Sequence, residues 1–160
     1  MNTNHKVWIV VGLLVFSHFG LHLGIGLGSE APDLLVVALL IAIREVDMGA
    51  GSCLGFLFGI MEDAFSVLAF GANAFAFTII GITGSKMRNL FVGDSLGFMA
   101  CYFFWGKWCK DFLHWIVAGE SVRGSFIDAM LIDSSLAAIY AGSVGLIVIV
   151  ISGIGSDTVR

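Results

Sequence analysis

His18 and His22 stand four residues apart in an uncharged stretch, so on a helix their imidazoles share a face at the spacing of two metal ligands. No third ligand lies nearby in sequence, so each is expected to hydrogen-bond to a neighbouring helix rather than hold an ion. Asp63 is the other group whose type demands a reason. A carboxylate at mid-helix costs about 2.5–3.5 kcal/mol to insert into a bilayer. Binding a cation, accepting hydrogen bonds from an opposing helix, or capping the helix expected to begin near Ala64 would each supply one, and capping or an interfacial position is the expectation. Glu62 points elsewhere on the same helix and is expected to be solvated. Asp94, Asp128 and Asp133 fall near or within the later apolar segments, where they lack an intramembrane Lys or Arg partner and make a poor relay; water-facing or helix-end positions are expected. Cys53, Cys101 and Cys109 form no CxxC pair, and for the two in apolar stretches small buried thiols are expected. The sequence contains no HExxH, GxSxG, P-loop or kinase motif, and nothing fixes its Ser and His residues as a triad. The expectation is a non-enzyme with no catalytic residue, cofactor site or metal site.

Composition says where such groups must sit. Of 160 residues, 58% are hydrophobic and only 12% charged, against roughly 25% in a soluble domain, and 21 are glycine. Mean hydropathy is +0.98. A bilayer core of about 30 Å takes roughly 20 helical residues per crossing, so six crossings use about 120 residues and leave about 40 for loops and ends. That excludes a separate soluble, nucleotide-binding or extended catalytic domain. The net charge of −4 and eight scattered basic residues make no nucleic-acid patch. The expected class is an all-α integral membrane protein, one polytopic domain over residues 1–160, built as a compact bundle of about six transmembrane helices, with five the competing count.

Charges mark the borders. Residues 7–28 carry no Asp, Glu, Lys or Arg, far longer than a signal core of about 7–15 residues, so a retained first span is expected. Apolar runs at 34–43 and 48–61 are too short to cross unaided, and a re-entrant hairpin competes with two sheltered crossings. Further spans are expected at 64–85, from near 90 to 118, and at 126–155. Residues 90–118 would make about 43 Å of helix, placing Lys107 and Lys110 at the far interface as anchors beside Tyr102, Trp105 and Trp108. An inside N-terminus puts Lys6, Arg44, Lys86, Arg88 and Arg160 in the cytoplasm and Lys107, Lys110 and Arg123 outside, a weak positive-inside bias.

Glycine spacing is the strongest internal pattern. Gly20, Gly24 and Gly28 line one face of the first span, and Gly51, Gly55 and Gly59 line one face of the third. Such faces let a neighbouring backbone approach closely, and packing within one chain is expected ahead of a homodimer contact. Asp63 continues the third-span register. Pro32 and Asp33 open the second span, where proline suits the first turn and an acid favours the positive end of the helix dipole.

Ala31-Pro32-Asp33-Leu34-Leu35-Val36, then Gly55-x3-Gly59-x3-Asp63 and Leu68-Ala69-Phe70-Gly71-Ala72-Asn73, resemble the rod shape-determining protein MreD family. Its members resemble one another in a proline-containing start to the second span and in a G-x3-G-x3-D element. A glycine about eight residues later, here Gly71, opens the next span. The recognisable core covers roughly residues 31–89, and the Met87-Arg88-Asn89 boundary also fits. Two features depart from the pattern: Arg160 stands alone where a basic tail is expected, and Lys107 and Lys110 interrupt the fifth span.

The resemblance implies a non-enzymatic partner in bacterial cell elongation, multi-pass in the inner membrane with its N-terminus cytoplasmic. It implies direct binding to the bitopic MreC, within an assembly that includes MreB, RodA and a class B penicillin-binding protein, and so a part in regulating peptidoglycan synthesis and rod shape. It also implies a fold similar to the S-components of energy-coupling-factor transporters. Gly55, Gly59, Asp63 and Gly71 would then build a tight helix-loop-helix element, with Asp63 fixing the loop or meeting a partner. The runner-up is a vitamin-type transporter subunit with a polar pocket between spans, some of its wall supplied by Trp8, Trp105, Trp108 or Trp115. An intramembrane enzyme using Asp63 with Asp94 or Asp133 is the third reading.

Overall fold

The computed structural model describes residues 3–24, 33–65, 69–87, 95–119 and 125–154. All regular structure among them is helical: α1 (Thr3–Gly24), α2 (Leu34–Ala42), α3 (Met48–Asp63), α4 (Ala72–Met87), α5 (Leu96–Val117) and α6 (Ser134–Ser152), the last continuous with a π-helical segment, Ile127–Asp133. Two helices are long and apolar enough to cross a membrane, α1 over His5–His22 and the last helix over Ile127–Ser152. The 22 residues of α5 have the length, but Lys107, Lys110 and Asp111 interrupt them.

α2 is the axis of the bundle. It is apolar all round, LLVVALLIA, and a helix with no polar face has to be covered on every side. Each of its nine residues is buried, and it packs against all five other α-helices. Its ends are satisfied by side chains. Asp33 accepts the Val36 amide at 3.2 Å at one end, and the Tyr102 hydroxyl donates to the Leu40 carbonyl at 2.8 Å at the other.

α3 and α4 are packed backbone to backbone. A Cβ added at Gly51 would fall on the Ser85 hydroxyl and the Gly81 carbonyl, one at Gly55 on the Phe77 carbonyl, and one at Gly59 on the Ala74 Cα and Asn73 carbonyl. Every fourth residue of α3 lies on this seam, so the glycine stripe is consumed inside the chain. The first-span glycines behave differently. Gly20 is exposed and has nothing within 4 Å where its Cβ would be, and Gly28 lies outside the described residues.

The observed borders correct several expectations. The third helix runs two residues past Met61, through Glu62 and Asp63, because both acids find partners inside the protein. The fourth starts at Ala72 rather than Ala64, since Asp63 ends one helix and Gly71 turns the chain into the next. The fifth starts at Leu96, where the Ser95 hydroxyl accepts the Phe98 amide, and the last ends at Gly153, whose positive φ of 67° stops the helix. The cysteines are also corrected: Cys53, Cys101 and Cys109 all face outward. So do many large apolar residues, among them Phe16 at 78% and Ile151 at 82% exposure, which gives the bundle a largely apolar outer surface.

Gly55→Ala should destabilise the fold by at least about 1–3 kcal/mol, because the seam has no room for one carbon. Gly12→Ala, where the added carbon meets nothing, should be neutral or stabilise by up to about 1 kcal/mol. Thermal unfolding of the two variants in detergent checks the contrast; equal effects would contradict the seam.

Candidate functional site

The ends of α1 and α3, the starts of α2 and α4 and the second half of α5 meet at one end of the bundle, and the buried charge gathers there. Asp63, 1% exposed, is the last residue of α3. Its carboxylate accepts the backbone N–H groups of Gly71 at 2.9 Å, Asn73 at 3.1 Å and Ala74 at 2.8 Å. These are first-turn amides of α4 and the residue before it, so the negative charge lies on the positive end of the α4 dipole. Gly71 reaches the bond with φ +95°, a conformation L side chains rarely adopt. The helix that Asp63 caps is thus the one beginning at Ala72, reached across an eight-residue chord.

A second cluster ties α2 to α5. Lys110 Nζ lies 3.1 Å from Asp33 Oδ2, and Lys107 Nζ lies 3.5 Å from the same oxygen. Lys107 also pairs with Asp111 one turn along its own helix. Lys110 further sits 5.4 Å from the centre of the Phe77 ring. Both lysines are 7% exposed, which corrects the expectation that they anchor the chain at an interface. Burial works against charge on Asp33, yet Lys110 and then Lys107 outweigh it and hold the carboxyl well below the usual carboxylate range. Asp33 therefore has two jobs, cap of α2 and counter-ion for α5, where its place in sequence suggested only a favourable position on the helix dipole.

A third contact ties α1 to α3. His18, 1% exposed, meets Glu62 through Nε2 and Oε2 at 2.9 Å, so Glu62 is a partner of α1 rather than a solvated acid. His22 lies beside His18, ring centres 4.7 Å apart. One ligand atom from each of His18, His22 and Glu62 falls within 4.8 Å of the others. Sequence proximity could not supply this third donor, because it comes from a residue 44 positions away.

Of the residues singled out beforehand, Gly51, Gly55, Gly59, Asp63 and Gly71 come together in the α3–α4 hairpin, and Asp33 stands in the adjoining ion cluster. Pro32 and Asp94 lie outside the described residues. Asp128 and Asp133 are exposed and join none of this. Of the aromatics expected at an interface, Trp105 faces outward, but the Tyr102 hydroxyl turns inward to Leu40. No family model, no curated protein and no solved structure matches the chain.

Lys110→Met would leave Asp33 buried with only the more distant Lys107. A loss near the lower end of about 3–5 kcal/mol is expected, partly recovered in the double variant Asp33→Asn/Lys110→Met. Unfolding midpoints of the two singles and the double, in detergent, check it; strictly additive losses would contradict a shared ion cluster.

Proposed function

We propose that this chain is a non-enzymatic, MreD-like component of the bacterial cell-elongation complex, multi-pass in the inner membrane, which binds MreC and helps regulate peptidoglycan synthesis and rod shape. One observation carries the proposal: the residues of the G-x3-G-x3-D element and its following glycine act as one structural unit. Gly51, Gly55 and Gly59 seat α4, Asp63 holds its first turn, and Gly71 supplies the turn between them. Spacing that arose by chance in a glycine-rich chain would have no reason to converge on one hairpin.

The helix order supports six crossings. Successive helices run antiparallel, so the polar cluster lies at one end, while Arg44 and Lys86 lie near the other ends of α2 and α4. Two helices meet the length and hydropathy of a span, and in our reading the shorter α2, α3 and α4 cross with protein around them. The basic residues divide as Lys6, Arg44, Lys86, Arg88 and Arg160 against Lys107, Lys110 and Arg123. That favours a cytoplasmic N-terminus and a polar end facing outward.

Because the motif faces inward, it acts on partners through the hairpin it builds. MreC, RodA, the class B penicillin-binding protein and MreB would have to be reached through outward apolar faces and loops, directly in the case of MreC. Such a scaffold works by binding one conformation of its partner more tightly than another. Tagged protein co-expressed with the MreC of its own host should copurify with it stoichiometrically in mild detergent, and its depletion should turn rods into spheres. A well-folded preparation that retains no MreC, from cells that keep their rod shape without the protein, would overturn the proposal.

A further inference from the structure

We propose that His18, His22 and Glu62 form a binding site for a divalent transition-metal ion of the zinc class, linking α1 to the end of α3. The donors are two imidazoles and one carboxylate, the borderline nitrogen-oxygen set that suits zinc and its neighbours and disfavours magnesium or calcium. They converge from two helices, with one ligand atom from each within 4.8 Å of the others. A tetrahedral zinc ion holds its ligands roughly 3.3–3.5 Å apart, given bonds of about 2.0–2.2 Å. Closing the remaining gap falls to side-chain adjustment of His22 and Glu62, both only partly buried. The fourth position would be left to water.

The second observation concerns His18 itself. Its ring is buried, Nε2 is bonded to Glu62, and Nδ1 is enclosed with no hydrogen-bond partner. Neither neutral tautomer satisfies both nitrogens with these groups. An ion at Nε2 would replace the bond to Glu62 as the shared contact, with Nδ1 carrying the proton of the neutral ring. Aromatic rings flank the pair: Phe19 meets His18 edge-on at 5.2 Å, and Phe65 stacks on His22 at 5.9 Å.

Charge points the same way. Among the described residues this end of the bundle holds four carboxylates, Asp33, Glu62, Asp63 and Asp111, against two ammonium groups, Lys107 and Lys110, an excess of two negative charges. One divalent cation neutralises it.

Purified full-length protein in detergent is titrated with Zn2+ against a chromophoric chelator, and separately with Co2+ while its visible absorption is recorded. One ion per chain is expected, with tetrahedral cobalt bands that lack the thiolate charge-transfer absorption the outward-facing cysteines would produce. His22→Ala and Glu62→Gln should each weaken Zn2+ at least about tenfold. Zn2+ should raise the unfolding midpoint of the unaltered chain and not that of His22→Ala, each compared with its own metal-free midpoint. Binding absent at one equivalent, binding that survives both substitutions, or a thiolate spectrum would overturn the proposal.

Discussion

A carboxylate with no access to water has to be answered by the protein, and the hairpin is built around the answer Asp63 receives. The mid-bilayer cost of such a group is about 2.5–3.5 kcal/mol. Hydrogen bonds to a charged group contribute about 1.5–3 kcal/mol each, so the three amides from Gly71, Asn73 and Ala74 more than offset it. The bonds can form only if the α4 N-terminus lies against the end of α3. That requires the two backbones to approach along the seam, hence glycine at 51, 55 and 59, and a left-handed turn at Gly71. Remove any of these and the carboxylate loses its partners.

The same constraint shapes the rest of the polar end. α2 is too short and too apolar to face water at either end, so it takes its N-cap from Asp33 and its terminal bond from Tyr102. Asp33 in turn needs a counter-charge, and the two lysines of α5 supply it from across the bundle. Glu62 finds His18 on α1. α1 is thus fastened to α3, α3 to α4 and α2 to α5 by buried polar contacts, while the outward surfaces stay apolar. Packing alone is weakly selective among apolar helices, and these few contacts select which helices meet and in what register.

Much of this was legible in the sequence where the rule is local. Charges marked the start of α2 and α3, the four-residue glycine repeat marked the seam, and Asp33 read as an acid at the positive end of the α2 dipole. Long-range partners were not legible. Lys107 and Lys110 lie among Trp105 and Trp108, a pattern that on a linear scale means an interface; their real partner, Asp33, is some 75 residues away. Glu62 was set aside because its angular position differs from that of Asp63, and nothing in the spacing shows that α1 occupies that side. The first-span glycines resembled those of α3 by spacing, but Gly20 meets no backbone, so a stripe of small residues signals contact only where a neighbour is delivered to it.

The most direct test of the central claim is residue-resolved amide hydrogen exchange of the protein in lipid nanodiscs, compared between the unaltered chain and Asp63→Asn. Bonded to the carboxylate, the amides of Gly71, Asn73 and Ala74 should exchange as slowly as the interior of α4, although they sit at a loop–helix junction. In Asp63→Asn they should exchange markedly faster while the interior of α2 stays protected. Loop-like exchange at all three amides in the unaltered chain would contradict the account, because the hairpin would then be held by something other than Asp63.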